Sequence, residues 1–224
     1  MIYLAILAGT LVIGGLALTS LIAKNMAPGN KRLAMETERM KGDMDTWVTK
    51  LVPIDKEELE LFSIGQDKQV LRKGITTTAK GIFTTIYHEP VLAYSYREYL
   101  GKANKPNALL YARTAEHEYI YWIKKGTATL FIDSQEVGTL TQDGVLKGKR
   151  TGKVIAQLKP GKEALQPVEI GGKEVGSLTT SIEKAEKGLH ERAFSFIRPD
   201  INDKEEQLFL ALALEELVNR AVHS

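Results

Sequence analysis

The chain has 224 residues and not one cysteine. That excludes disulfides, thiol nucleophiles, cysteine-ligated iron–sulfur clusters and a cysteine-linked lipid anchor, and it fits a reducing compartment. Charge imbalance is also missing. Thirty basic and 28 acidic residues give a formal net charge of +2, so no strong nucleic-acid signature exists. There is no Gly-x-Ser-x-Gly elbow, no phosphate loop ending in Gly-Lys-Ser/Thr and no dinucleotide fingerprint. The four histidines, His88, His117, His190 and His223, are scattered without metal-ligand spacing, and no acidic run has calcium-loop spacing. The best local constellation is Ala115-Glu116-His117-Glu118. Read as a strand, it puts Glu116 and Glu118 on one face and His117 on the other, so the three do not converge. The sequence predicts no catalytic residue, no metal and no cofactor: a protein that is not an enzyme.

The most informative absence is of charge in the first 23 residues, which run from Met1 to Ala23 with no Asp, Glu, Lys or Arg. At about 1.5 Å rise per residue such a helix reaches the ~30 Å of a bilayer core. A cleaved signal peptide needs a basic start, a shorter apolar stretch and a small-x-small cleavage site, and this segment has none of these. A retained single-span anchor is therefore expected over 1–23. Lys24, Lys31, Arg32, Arg39 and Lys41 follow it, which predicts the N-terminus outside and the rest of the chain on the cytoplasmic side of the plasma (inner) membrane. Ala5 and Gly9 are four residues apart, and Gly14 and Gly15 adjoin. Such small residues mark a face for packing against another membrane helix, although glycine and alanine are also simply common in spans.

Periodicity divides the remainder. A helical juxtamembrane linker is expected over 24–66, with an apolar face at Leu33, Met40, Met44, Trp47, Val48 and Leu51, a stop at Pro53 and a second short helix capped by Asp55. The spacing favours a connector packed on the domain over a stalk. Over 67–224 the chain reads as an antiparallel β-barrel-like domain of about 10–12 short strands. Runs such as Gly81–Tyr87, Val91–Tyr96 and Tyr119–Ile123 are rich in β-branched and aromatic residues, with Gly, Asn, Asp and Pro between them. The aromatic set Tyr87, Tyr94, Tyr96, Tyr99, Tyr111, Tyr119, Tyr121 and Trp122 is assigned mainly to core and barrel wall.

Two further patterns stand out. Phe131–Thr141 echoes Glu169–Thr179, with Glu-Val-Gly at 136–138 and again at 174–176, which reads as a duplicated β-hairpin. The last segment, 202–221, opens with Asn202 and Glu205 at capping-box spacing and continues Leu208-Phe-Leu-Ala-Leu-Ala-Leu214. A helix that is apolar all round must be buried all round, so it belongs at the centre of the barrel.

These features carry a family resemblance. Tyr119–Thr141, Glu169–Thr179, Arg192-Ala-Phe-Ser-Phe196 and Glu206–Leu217 resemble the tubby C-terminal-like superfamily, closest to its LURP-one-related, scramblase-like branch. The resemblance covers about the last half of the chain. It implies a closed barrel of about twelve strands around one apolar helix. The family's functions do not carry over: its palmitoylated cysteines have no counterpart here, and the apolar run is at the other end of the chain.

The function expected is a non-catalytic, membrane-anchored accessory or scaffold subunit. Its partners are the bilayer and other membrane subunits, with no nucleic acid. A second reading is an anionic-lipid-binding or sensing module using the basic loop Lys147, Lys149, Arg150 and Lys153, for which a plain solvated hairpin is the competing account.

Overall fold

The computed structural model describes residues 19–102, 105–161, 165–179 and 191–223. Residues 19–25 are helical. Helix α1 (Asn30–Val48) follows, then a 3-10 turn (Lys56–Leu61). Twelve strands come next: β1 (Phe62–Lys73), β2 (Thr77–Thr85), β3 (Pro90–Lys102), β4 (Lys105–Arg113), β5 (Glu118–Lys124), β6 (Thr127–Ile132), β7 (Gln135–Leu140), β8 (Val145–Gly148), β9 (Val154–Leu158), β10 (Leu165–Ile170), β11 (Lys173–Thr179) and β12 (Phe194–Ile197). Helix α2 (Asp203–His223) ends the described chain. The strands pair in sequence order, each antiparallel to the next.

The sheet curls into a nearly closed barrel. Ser63 bridges Arg192, Ile64 N–H donates to the Glu191 carbonyl (3.0 Å), and Ala193 N–H donates to the Phe62 carbonyl (2.9 Å). Past this seam, residues 67–73 of β1 form an exposed edge that is charged or polar except at Val70 and Leu71. Gln69 reaches from that edge to the carbonyl of Ala221 (3.2 Å), so α2 fills the gap.

Helix α2 occupies the barrel centre, as its all-round apolarity requires. Leu208 to Leu214 are all buried, and Leu217, Val218 and Val222 continue the buried surface. Asn202 Oδ1 accepts from the N–H groups of Lys204 and Glu205 (3.1 and 3.0 Å), and Glu205 Oε2 accepts from Asn202 N–H (3.0 Å). The capping box is thus formed in both directions. The Tyr121 hydroxyl donates to the buried carbonyl of Ala211 (2.6 Å), pinning the helix to the barrel wall.

Strands β3 and β4 are buried on both faces. Leu92, Tyr94, Tyr96, Leu110 and Ala112 face the barrel core. Ala93, Tyr99, Leu109 and Tyr111 face outward and pack with Met40, Met44 and Leu51. The linker helix is therefore a packed connector on the outer wall rather than a stalk. The short helix expected after Pro53 is a 3-10 turn, and Asp55 makes no side-chain cap to it.

The sequence echo is a duplicated hairpin. Asp133-Ser134 and Gly171-Gly172 form equivalent two-residue turns with positive φ at both positions. The pairs Leu130↔Gly138 and Val168↔Gly176 each border a register shift. A Cβ at Gly138 would lie 2.0 Å from the Lys147 carbonyl, and one at Gly176 would lie 2.7 Å from both the Phe196 carbonyl and the Phe209 ring. Both repeated glycines are thus demanded by a bulge packed tightly against the next strand.

Two strands depart from the sequence reading. β1 begins at Phe62, where a helical linker is expected to run on to residue 66; its polar outer half lacks the alternation that marks a strand. β8 takes Val145–Gly148, so Lys147 lies on a strand. The expected span 1–23 and its residues Ala5, Gly9, Gly14 and Gly15 lie outside the described residues up to residue 18. Among the described residues no helix is long and apolar enough to cross a membrane.

Candidate functional site

An antiparallel meander sorts its turns between two rims. The turns after β1, β3, β5, β7 and β9 lie at one rim, called upper here. Those after β2, β4, β6, β8 and β10 lie at the lower rim. α2 starts at the lower rim, where Lys56 meets Asp203 (2.8 Å), and ends at the upper rim, where His223 meets the Tyr96 ring edge-on (centroids 6.2 Å).

The lower rim holds the histidine constellation, but not as a strand. Residues 114–117 form a turn in which the Thr114 hydroxyl accepts from His117 N–H (3.0 Å). This rotates His117 toward the barrel axis. Its Nδ1 lies 2.7 Å from Asp133 Oδ2, and its Nε2 lies 3.1 Å from Gln207 Nε2. The pattern fits a neutral imidazole that donates from Nδ1 to the carboxylate and accepts at Nε2 from the amide. Glu118 turns outward to Lys41 (3.1 Å) and Ser134 (3.1 Å). Burial raises the Glu206 carboxyl pKa. The cavity bordered by Glu116, His117 and Glu206 has only about 20 Å³, room for roughly one water. The Asp133–His117–Gln207 chain therefore ties the β4–β5 turn, the β6–β7 turn and α2 together, and the cavity described beside it is small.

The basic loop also belongs to the lower rim, because it follows β8. Lys147, Lys149, Arg150 and Lys153 are all exposed. Lys149 is also paired with Glu136 (2.7 Å).

The upper rim differs in every respect. The chain from the apolar N-terminal run arrives here and is clamped. The Arg32 guanidinium donates to the carbonyls of Ala23 (2.9 Å) and Lys24 (2.7 Å), closing the C-terminal end of the helical segment 19–25. Glu36 bridges Arg32 (3.7 Å) to Arg97 on β3 (3.0 Å). Thr76 Oγ1 donates to Asn25 Oδ1 (3.2 Å), and Met26 bridges Leu100. Around this clamp are exposed apolar side chains: Ile75 (63 % exposed), Met26 (56 %), Ile22, Leu21 and Leu100. Next to it, Lys102, Lys105 and Lys125 line an open groove of about 340 Å³ with Gly101 and Asn107. Among the described residues none of these three lysines has an ion-pair partner.

Inside the same rim is a second cavity of about 240 Å³, lined by Tyr96, Leu110, Ile123, Leu140, Glu215 and His223 among others. Glu215 has no hydrogen-bond partner among the described residues. It keeps some accessible surface, yet barrel atoms surround it. Their desolvation, with the Glu216 charge as the lesser cause, pushes its pKa up to about 7.

The aromatic residues are core, as expected: Tyr94, Tyr96, Tyr99, Tyr111, Tyr119 and Tyr121 are buried, and burial pushes the Tyr99 hydroxyl up to about 12. Tyr87 alone of the set is largely exposed. No group of three His, Asp or Glu side chains among the described residues is arranged to hold a metal.

The fold and its rims define a class: a twelve-stranded meander barrel threaded by an apolar helix, with its outer connector helix leading back to an uncharged N-terminal run. Comparison with protein-family models, curated proteins and solved structures gives no match, so the tubby-type likeness rests on sequence pattern alone.

Proposed function

We propose that this chain is a non-catalytic, membrane-anchored accessory subunit. The apolar run 1–23 holds it in the plasma membrane, and the barrel lies on the cytoplasmic side as a scaffold that docks on a membrane protein complex. One observation carries the reading. The residues that follow the apolar run are clamped to the barrel by Arg32, Asn25 and Met26 instead of leaving it through a loose linker. A freely tethered domain needs no such clamp, whereas a subunit that presents one face to an assembly needs a fixed orientation. The basic residues Lys24, Lys31 and Arg32 support the cytoplasmic assignment. The small volume beside His117 supports a binding role over a catalytic one.

Gentle detergent extraction of the tagged chain, followed by native electrophoresis and mass spectrometry, tests this. Co-migration with stoichiometric membrane subunits is the expected result. Migration as a lone monomer overturns the scaffold role.

A further inference from the structure

We propose that the upper rim is itself a membrane contact: the turns after β1 and β5 and the adjoining ends of β3 and β4 rest on an anionic bilayer surface, with Ile75 and Leu100 in the headgroup layer and Lys102, Lys105 and Lys125 on lipid phosphates. This rests on the anchoring reading above and deepens it by naming what the clamped face touches.

Three independent features meet there. The first is position. Asn25 and Met26, which follow the helical segment 19–25 and precede α1, touch Thr76 and Leu100, so the chain described from residue 19 joins the barrel at this rim. On the anchoring reading, a bilayer that holds the run 1–23 lies beside this rim. The second is apolar exposure. Ile75 sits at the tip of its turn, 63 % exposed, beside Met26 and Leu100. Single exposed apolar residues are ordinary, but a group at one rim beside the point where a span enters has a partner in the interfacial layer. The third is charge. Lys102, Lys105 and Lys125 line one groove without an ion-pair partner among the described residues, and the negative surface of a cytoplasmic leaflet complements them.

The lower rim has exposed apolar and basic side chains of its own, among them Tyr87, Val154 and Arg150, but residues 25–26 do not join the barrel there. Its basic loop 149–153 lies at the opposite end of the barrel, with Lys149 in an ion pair with Glu136. The two basic surfaces therefore make opposite predictions about which rim faces lipid.

The absence of native cysteine allows single-site labelling of the full chain. Ile75→Cys, Leu100→Cys and, in the lower-rim loop, Thr151→Cys would each carry an environment-sensitive nitrobenzoxadiazole dye. The full-length proteins are reconstituted in phosphatidylcholine vesicles with and without phosphatidylglycerol. In the anionic vesicles the dyes at 75 and 100 are expected to shift to the blue and to resist iodide quenching several-fold better than the dye at 151. High salt and the triple variant Lys102→Glu/Lys105→Glu/Lys125→Glu should reverse this. Each lysine near such a surface is worth about fivefold, so removing three lowers the docked population about a hundredfold. Equal quenching at all three sites overturns the proposal, as does protection at 151 alone. Protection that ignores lipid charge and the triple variant overturns the lysine–phosphate contact. Protection that appears only when co-purified subunits are added assigns the face to a protein partner and likewise overturns it. Alkaline carbonate extraction of the same vesicles is the separate control: release of the chain defeats the anchoring reading, whereas retention with equal quenching defeats only this one.

Discussion

The two rims of the barrel are built from the same strands and differ in how their charged groups are engaged. At the lower rim the charged groups around the start of α2 are answered. His117 meets Asp133, Lys56 meets Asp203, Arg198 meets Asp200 and Glu205, and the capping box satisfies the first turn of α2. At the upper rim Lys102, Lys105 and Lys125 have no ion-pair partner among the described residues, apolar tips are exposed, and Glu215 lines a cavity with no hydrogen-bond partner among the described residues. The backbone has the same need to turn at both rims. The lower-rim contacts hold the start of α2 in the barrel, and the upper rim is the face proposed above to meet the membrane.

The largest test addresses what joins the rims. Phe209 is fully buried in α2 and packs edge-on against Phe194 (centroids 4.9 Å). Phe209→Ala should cost about 3–5 kcal/mol through lost burial and the cavity left behind. Chemical denaturation of the detergent-solubilised chain measures it. A loss below about 1 kcal/mol would mean that α2 is not the shared core, and the rims would have to be treated as separately stabilised.

Next in size is Glu215. Its carboxyl is raised to about 7 by burial, against a value near 4.3 for an unfolded Glu. Between those values the folded chain keeps a proton that the unfolded chain has released. Stability therefore falls as pH rises through that window and levels off above pH 7. Allowing for the residual solvent contact, the fall is about 2 kcal/mol between pH 5 and pH 8. Glu215→Gln should flatten that fall and leave the variant more stable than the parent at pH 8, with little change at pH 5. An unchanged pH profile would show that the upper-rim cavity already solvates the charge.

Much of this organisation was legible in the sequence, and the parts that were not have physical causes. The run Leu208–Leu214 can satisfy itself only inside a barrel, and the Asn202–Glu205 spacing predicts its start. The echoed Glu-Val-Gly segments predict two like hairpins, with Gly138 and Gly176 each seated against the next strand. Strand β1 was hidden because an exposed edge selects polar residues over alternation. The pairing of His117 with Asp133 was hidden because a turn, not a strand, carries His117, and turns erase the two-residue period. The rim of each loop was readable in principle: counting hairpins from β1 places the loop 149–153 opposite the residues that follow the apolar run. That count fails when β1 and β8 are missed, since each missed strand swaps the rims.

A smaller effect belongs to the lower rim. Glu205 Oε2 serves both Asn202 N–H and the Arg198 guanidinium (3.1 Å). Glu205→Ala removes the reciprocal half of the cap and leaves Arg198 with Asp200, which should cost about 1–2 kcal/mol. Faster amide exchange over 202–206, with the upper rim unaffected, would be its local signature. Loss of protection at the upper-rim turns as well would show that the two rims melt as one unit.

The smallest expected effect is the sharpest test of the contrast. Lys102, Lys105 and Lys125 contribute like charges around one groove and no ion pair among the described residues. Replacing all three by Glu should change folding stability by no more than about 0.5 kcal/mol, because surface charges without a partner hold little of the fold in place. Mutual repulsion gives no net gain, because three glutamates repel one another as three lysines do, and any residual effect should vanish as salt screens the groove. A drop matching that of Glu205→Ala would show that the lysines brace the β3–β4 and β5–β6 turns, and the upper rim would then be structural like the lower one. A null result in denaturation combined with a large change in vesicle contact is what a surface kept for an outside partner requires. Side chains that neither pack nor pair within the fold have only external interactions left through which to act.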